Sequence, residues 1–153
     1  MSSSYQSDRI VPLDGKESVR TVLSELEVIS KMNEWKPNLN LFQVNNEYYD
    51  YDAENKDYIV EVKTRNKYYK KKVIEMAKIS KNYQHAQILG KQFIYAVSDS
   101  RGLWIWNISK LMAEIVENQK PYPMKAPQTT KFGKDKKIIK YTYELNEIDA
   151  QKL

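Results

Sequence analysis

Hydrophobic and polar residues recur along this chain with two different periods, and these periods predict its elements. In residues 16–36 the apolar positions are spaced three and four apart, which is typical of an amphipathic helix, and Pro37 follows its end. Residues 39–44, 47–51 and 58–64 have the alternation or the β-branched content of strands. The polar segment "AENKD" between the last two predicts a hairpin loop.

The second half of the chain predicts two more helices and two more strands. Apolar positions from Val73 to Ala86 fit one face of a second helix, and Gly90 is placed as its C-terminal cap. Residues 92–98 and 102–108 are expected to be strands. The remaining expected elements are a third helix at residues 109–119 capped by Ser109, a Pro-rich connector at 120–127 and a hairpin at 129–145 around Gly133.

The order helix, three strands, helix, strand, strand predicts an α/β fold with helices packed against one sheet. Residues 1–15 carry serines and isolated apolar residues without a period, and we expect them to form a flexible N-terminal arm. Residues 16–153 are expected to form a single domain, because 153 residues suit one hydrophobic core.

Composition narrows the function classes. The chain contains no cysteine, which excludes a disulfide framework and thiolate metal sites and favours an intracellular, cytoplasmic setting. We find no signal peptide and no apolar run long enough for a membrane span, so no membrane partner is expected. The net charge of +5 favours polyanionic partners.

Charged side chains interrupt the strand predicted at residues 58–64. Glu61 and Lys63 share one face, and a hairpin centred on residues 55 and 56 sets Asp50 directly opposite Glu61. Like charges in this position destabilise a sheet unless a cation lies between them or they face water. Such oxygen ligands suit Mg²⁺, and Lys63 would point at the same place, where it could hold an attacking water. The other acidic residues of this segment, Asp52 and Asp57, are expected to be turn residues.

Asp50 followed by Glu61-Val62-Lys63 resembles the signature of the PD-(D/E)XK nuclease superfamily, whose core is αβββαβ with the acid on the second strand and E-x-K on the third. More narrowly, "YYDYDAENKDYIVEVKTRN" and "FIYAVSDSRGLWIWNI" are similar to small virus- and phage-encoded members. No Pro precedes Asp50, where the motif that names the superfamily has one. The resemblance implies a restriction-endonuclease-like α/β core with a mixed central sheet flanked by helices, followed here by the C-terminal hairpin.

The same resemblance implies a Mg²⁺-dependent DNA endonuclease, with Mn²⁺ as a substitute, in which water attacks and leaves a 5′ phosphate. Asp50 and Glu61 would then hold the metal with the Val62 carbonyl, and Lys63 would position or activate the water. Members of the family often add a glutamate from the first helix. Our choice is Glu17, with Glu25 and Glu27 as rivals, and a solvated glutamate favoured by the helix dipole is the other interpretation.

Basic residues follow the motif in the segment "RNKYYKKK". Either they contact phosphates while Tyr68 or Tyr69 stacks on a base, or they form a solvated loop. On the second helix, Lys78 and Lys81 could reach the site, and Lys81 falls where the viral relatives keep a lysine. The predicted nucleic-acid contacts are Arg65, Lys67, Lys70, Lys71, Lys72 and Lys81.

Other residues exclude alternative chemistries. His85 is the only histidine, which excludes paired-histidine ribonuclease chemistry and His-based zinc hydrolysis, and it is expected to be structural. No phosphate-binding G-x-x-x-x-G-K-[ST] motif is present, so no nucleotide cofactor is expected. Trp104 and Trp106 share a strand face and are expected in the core rather than in a base-stacking platform.

Two functions are compatible with these residues. The first is a DNA endonuclease that is structure-specific, junction-resolving, or active in DNA degradation or repair. The second is a nuclease-like fold that has lost catalysis and binds nucleic acid or protein. The expected partner is DNA, the resemblance allows a homodimer because junction resolvases act as dimers, and a viral protein would act in the host cell.

Overall fold

The computed structural model describes residues 11–13, 17–19, 22–46, 48–127 and 137–153. The described chain is mixed α/β. Its helices are α1 (Glu25–Trp35), α2 (Met76–Leu89) and α3 (Ile108–Asn118), with a 3₁₀ turn at Glu147–Asp149. Its strands are β1 (Val11–Leu13), β2 (Glu17–Val19), β3 (Phe42–Gln43), β4 (Ala53–Glu54), β5 (Tyr58–Thr64), β6 (Lys72–Glu75), β7 (Gln92–Asp99), β8 (Gly102–Asn107), β9 (Tyr122–Pro127), β10 (Lys137–Leu145) and β11 (Gln151–Lys152).

The main sheet of the described chain is mixed and has the strand order β11-β8-β7-β5-β4-β3. Strands β5 and β7 are parallel, and the other neighbours in this sheet are antiparallel. A second sheet, β9-β10-β6, is antiparallel. No helix in the described ranges has both the length and the apolar character to cross a membrane.

Helices cover both faces of the main sheet, which confirms the predicted α/β architecture. On one face, α1 buries Val28, Ile29 and Met32 against Val60 and Val62 of β5. On the other face, α2, α3 and the second sheet enclose a larger core, listed by its central members as Ile59, Ile74, Ile79, Phe93, Trp104, Trp106 and Ile115. Both tryptophans are therefore core residues, as predicted. Because side chains alternate along β5, Glu61 lies on the same face as Ile59, toward α2.

The first helix is shorter than predicted. It begins at Glu25, because Ser24 and Glu27 form a reciprocal capping box: the Ser24 hydroxyl accepts from the Glu27 N–H at 3.2 Å, and Glu27 Oε1 accepts from the Ser24 N–H at 2.9 Å. Residues 17–19 are strand β2 instead and pair with β1, which lies within the segment predicted as a flexible arm. Residues 1–10 and 14–16 lie outside the described residues.

The predicted strands differ in outcome. The strand at Tyr58–Thr64 is confirmed, and the strand predicted at residues 39–44 is reduced to Phe42–Gln43. The strand predicted at 47–51 is wrong for residues 48–51, because the hairpin partner of β5 is Ala53–Glu54, and residue 47 lies outside the described residues. The ladder therefore forms later in the chain than the sequence pattern indicated.

In the second half, a strand was missed before the second helix. Lys72–Glu75 pairs with β10, so Val73 lies in a strand and α2 begins at Met76. The face that α2 buries is formed by Ile79, Asn82 and Ala86, so Ala86 is confirmed, whereas Ile79 and Asn82 were not predicted. Gly90 is confirmed as the C-terminal cap, with a φ of 70° in the left-handed region that favours glycine.

Two predictions near the C-terminus also change. Asn107, not Ser109, caps α3: its side chain accepts from the Lys110 N–H at 3.1 Å, while the Ser109 hydroxyl accepts from the Phe93 N–H at 2.8 Å. The predicted Pro-rich connector is strand β9, which pairs with β10 at the edge of its sheet, where proline is tolerated. The predicted turn around Gly133 lies outside the described residues.

Candidate functional site

The register of the β4–β5 hairpin decides which carboxylate faces Glu61. Ala53 pairs with Val60, so the next facing pair of this antiparallel ladder is Asp52 with Glu61. The prediction that Asp50 stands opposite Glu61 is therefore wrong by two positions. Asp52, expected to be a turn residue, is the acid beside Glu61.

The turn of this hairpin explains the shift. The Asn55 side-chain oxygen accepts from the N–H groups of Asp57 at 2.8 Å and Tyr58 at 2.6 Å, and its amide donates to the Leu39 carbonyl at 2.7 Å. These bonds centre the turn on residues 56 and 57, one position later than predicted. Because paired residues lie symmetrically about the centre of the turn, moving that centre by one position changes the partner of each residue by two positions.

Asp52 is held in place by the backbone of β5. Its N–H donates to the Val60 carbonyl at 2.8 Å, and its Oδ2 accepts from the Val62 N–H at 2.7 Å. The N–H and the carbonyl of one strand residue point to the same edge, so the Val62 carbonyl also lies on the edge that faces Asp52. Asp52, Glu61 and Val62 thus present oxygen atoms near one another, at the N-terminal end of β4.

Glu61 is a buried acid, with 6% of its surface exposed. Burial, followed by repulsion from the Asp52 carboxylate, raises the pKa of Glu61 to about 8, although Lys78 opposes this shift. A carboxylate pair in this condition is stabilised by either a proton or a cation. We refer to Asp52 and Glu61 below as the acidic pair.

The donor set of the acidic pair fits Mg²⁺. Within the described ranges, no group of three or more His, Asp or Glu side chains is arranged to hold a metal ion. Mg²⁺ does not require such a group, because it commonly binds through one or two carboxylates and completes its shell with waters and substrate phosphate oxygens. Two facing carboxylates, of which Glu61 has a raised pKa, and an adjacent carbonyl are therefore a donor set that fits this ion.

Two lysines stand beside the acidic pair. Lys78 Nζ lies 3.3 Å from Glu61 Oε2. Burial lowers the pKa of Lys78, but the carboxylates of Glu61 and Asp50 outweigh burial and raise it, so Lys78 is protonated and positively charged. Lys63 differs, because burial and then the nearby Arg65 lower its pKa despite the carboxylates of Glu75 and Glu61. A half-buried amine with a lowered pKa is suited to hold a water molecule or to accept its proton.

Asp50 lies at the rim of the site. Its Oδ2 is 3.2 Å from Lys81 Nζ, and its backbone carbonyl accepts from the Asn82 side chain at 3.0 Å. Its neighbours Tyr49 and Tyr51 stack with ring centroids 5.2 Å apart, and both rings meet the edge of His85. His85 is therefore a packing residue, as predicted, and Lys81 reaches the site region through Asp50.

The structure does not bring Glu25 or Glu27, the two rivals among the predicted first-helix glutamates, to the acidic pair. Helix α1 covers the face of β5 opposite to Glu61. Glu27 is used in the capping box, and Glu25 Oε1 accepts from the Gln43 side chain at 3.2 Å. Glu17 lies in strand β2, so the prediction that it belongs to the start of the first helix is wrong.

Five of the six predicted nucleic-acid contacts, all except Lys81, line one pocket near the site. Four of them are exposed or half-buried there: Arg65, Lys67, Lys70 and Lys71. The prediction of Lys72 as a surface contact is wrong, because it is 4% exposed and its Nζ lies 2.7 Å from Glu147 Oε2 and 3.4 Å from Asp99 Oδ2. The alternation in "KVIE" is the sequence signal that places this lysine inward.

Sequence reasoning missed Asp52 and undervalued Lys78. The Asn-Lys-Asp turn is a signal for the correct register, since asparagine readily accepts hydrogen bonds from the backbone two residues on. Comparison of the chain with protein-family models, with curated proteins and with solved structures gave no match.

Proposed function

We propose that this chain is a Mg²⁺-dependent nuclease that hydrolyses DNA phosphodiester bonds, built on a restriction-endonuclease-like core. The single observation that carries the proposal is the acidic pair, in which two carboxylates meet on adjacent strands beside Lys63. Like charges placed opposite each other lower the stability of a sheet. A purely structural role gives no reason for such an arrangement. A binding site for a divalent cation supplies the reason.

The order of elements supports the same proposal. Helix α1, strands β3, β4 and β5, helix α2 and strand β7 follow one another along the chain, with β6 inserted before α2. This succession agrees with an αβββαβ core that has its E-x-K motif on the third strand. The acid comes just before β4, the second of these strands, when Asp52 takes the place first given to Asp50.

Each residue then has a role that follows from its position. The Asp52 and Glu61 carboxylates and the Val62 carbonyl would hold the ion. Bound Mg²⁺ would polarise the scissile phosphate and stabilise its developing charge. Lys63, with its lowered pKa, would position the attacking water and, in its neutral form, accept the proton of that water. The water oxygen would bond to phosphorus as the P–O3′ bond breaks, and the departing 3′ oxygen would take a proton from solvent, which leaves a 5′ phosphate and a 3′ hydroxyl.

A second candidate function has a specific observation in its favour. Lys78 already places an ammonium 3.3 Å from Glu61, where it partly neutralises the acidic pair without a metal. A chain that relied on Lys78 in this way would be a nuclease-like module that binds nucleic acid or protein without cleaving it. The two candidates differ in whether the acidic pair binds a divalent cation.

Cleavage assays test the proposal. Purified protein with Mg²⁺ or Mn²⁺ should cut at least one of linear, nicked, flapped or four-way DNA. Replacing Lys63→Met should lower the rate roughly 10²- to 10⁴-fold, the usual contribution of a positioned acid or base. Lys56→Met, in the exposed turn at the opposite end of β5, is the matched control and should cut at the parent rate. No cleavage of any substrate, or undiminished cleavage by Lys63→Met, would refute the nuclease.

A further inference from the structure

A pocket of about 660 Å³ opens beyond Lys63, at the C-terminal end of β5. Arg65, two residues beyond Lys63, forms one wall, and Val97, the β7 partner of Lys63, forms another. The pocket therefore begins where the proposed reaction site ends. Its size falls in the range of small-molecule sites and is ample for one nucleotide.

The mouth of this pocket is basic. Lys67, Lys70 and Lys71 are exposed, and Arg65 is half-buried beside them. Below them, Lys72 forms ion pairs with Asp99 and Glu147, so its charge is already offset within the protein and adds no further cation to the pocket. The charge distribution suits a phosphate held at the mouth and a less polar group held inside.

Aromatic side chains supply a place for that less polar group. Tyr69 is 56% exposed, so one ring lines the pocket in contact with solvent. Tyr122 of β9 lines the same pocket, and Lys71 Nζ stands 4.2 Å from the centre of the Tyr122 ring. Aromatic rings beside lysines are the arrangement with which proteins hold a nucleobase and its phosphate.

Two buried polar atoms in the pocket lining have no hydrogen-bond partner among the described residues. They are the Tyr122 hydroxyl and Asp99 Oδ2, the latter 3.4 Å from the Lys72 ammonium. Asp99 is 3% exposed, so its oxygen is within the protein rather than at the surface. Buried polar atoms are nearly always hydrogen-bonded, and a ligand with donor groups would satisfy these two.

We infer that this pocket binds one unpaired nucleotide of the DNA strand, with its base against Tyr69 and Tyr122 and its phosphate on Lys70 and Lys71. The inference rests on the proposed function and deepens it by naming the substrate class. A base inside the pocket is not stacked in a duplex, so a strand with unpaired nucleotides is favoured over paired DNA. Single strands, flaps and frayed ends belong to this class.

Binding without cleavage tests the inference. In EDTA, fluorescence anisotropy would compare a labelled single strand of about 12 nucleotides with a blunt duplex of the same length. We expect the single strand to bind at least roughly fivefold more tightly. Tyr69→Ala should weaken its binding by roughly fivefold to a hundredfold, the usual effect of a lost base stack.

Two milder variants separate the roles of charge and hydrogen bonding. Lys71→Met should lower the slope of log affinity against log salt by about 0.7, because one phosphate contact is lost. Tyr122→Phe should weaken single-strand binding by roughly threefold to tenfold and leave that slope unchanged. Lys56→Met is the matched control, and circular dichroism melting confirms that each variant is folded.

The inference is overturned if the duplex binds as tightly as the single strand, or if folded Tyr69→Ala and Tyr122→Phe bind like the Lys56→Met control. Because these assays contain no divalent metal, they do not depend on cleavage. A protein that binds single strands through this pocket but never cuts DNA would refute the nuclease and keep the pocket. If the parent cuts DNA and the pocket variants cut it at the same rate, the nuclease is kept and the pocket is refuted.

Discussion

Two buried clusters of charge in this protein use the same residue types in opposite ways. In the acidic pair, Asp52 and Glu61 face each other, and Lys78 forms an ion pair with Glu61 from a position that is 30% exposed. In the second cluster, which we call the lysine cluster, Lys72 contacts the carboxylates of both Asp99 and Glu147. In the first cluster the two acids meet each other, and in the second a lysine of the chain stands between them.

The pKa values express this difference. Burial and carboxylate repulsion raise the pKa of Glu61 to about 8. For Glu147, burial acts in the same direction, but hydrogen bonds from Lys72 and Tyr68 overcome it and lower the pKa. Aromatic rings complete the lysine cluster, with Lys72 Nζ 4.0 Å from the Tyr68 ring centre and 4.7 Å from that of Trp104. The lysine cluster therefore has its cation between two carboxylates, whereas the cation beside the acidic pair, Lys78, stands at Glu61.

Breaking the lysine cluster should have the largest effect on stability. Lys72→Met leaves the Asp99 side chain, which is 1% exposed, without its cation. Removing one partner of a buried ion pair costs about 3 to 5 kcal/mol, so urea unfolding should show a loss of that size. The matched control is Lys70→Met, an exposed neighbour whose effect should stay within about 0.5 kcal/mol. Equal stability of the two variants would contradict a structural role for the lysine cluster.

Removing a charge from the acidic pair should raise the stability of the protein instead of lowering it. Because the pKa of Glu61 rises from 4.5 unfolded to about 8 folded, the native state keeps a proton that the unfolded chain releases, and stability falls as pH rises through this window. Glu61→Gln removes this dependence. In the absence of metal it should be more stable than the parent at pH 8 by roughly 1 to 4 kcal/mol and equal to it near pH 4.5.

Thermal and urea unfolding at several pH values would measure that difference. Glu34→Gln, an exposed change on α1, is the control and should follow the parent within about 0.5 kcal/mol at every pH. A Glu61→Gln variant that is less stable than the parent at pH 8, or that differs from it equally at all pH values, would show that the acidic pair is already neutralised within the fold.

The same comparison explains how much the sequence could predict. Strand β5 and the shared face of Glu61 and Lys63 follow from local alternation, and both are confirmed. The partner of Glu61 was missed because the register depends on Asn55, which accepts from the N–H groups of Asp57 and Tyr58 and whose amide reaches the Leu39 carbonyl 16 residues earlier. Alternation identifies the face of a strand, but the register also depends on the turn residues and on the contact that holds them in place.

The lysine cluster was missed for a similar reason. Lys72 looks like part of a basic surface segment in the sequence, and its partner Glu147 lies 75 residues away. Lys72 and Glu147 meet because β6 pairs with β10, and the periodicity of the sequence does not indicate this long-range pairing. The first-helix boundary, in contrast, depends on Ser24 and Glu27 alone, so the capping box in "SELE" was a local signal for it.

The central claim is that Asp52 and Glu61, rather than Asp50 and Glu61, form a divalent cation site. Isothermal titration calorimetry with Mn²⁺ at a pH above 8, where Glu61 is ionised, would test it with Asp52→Asn and Asp50→Asn as a matched pair. We predict binding by the parent, a loss of at least about tenfold in affinity for Asp52→Asn, which equals about 1.4 kcal/mol, and a change within about threefold for Asp50→Asn. No binding by the parent, or a loss in Asp50→Asn with unchanged affinity in Asp52→Asn, would contradict the account.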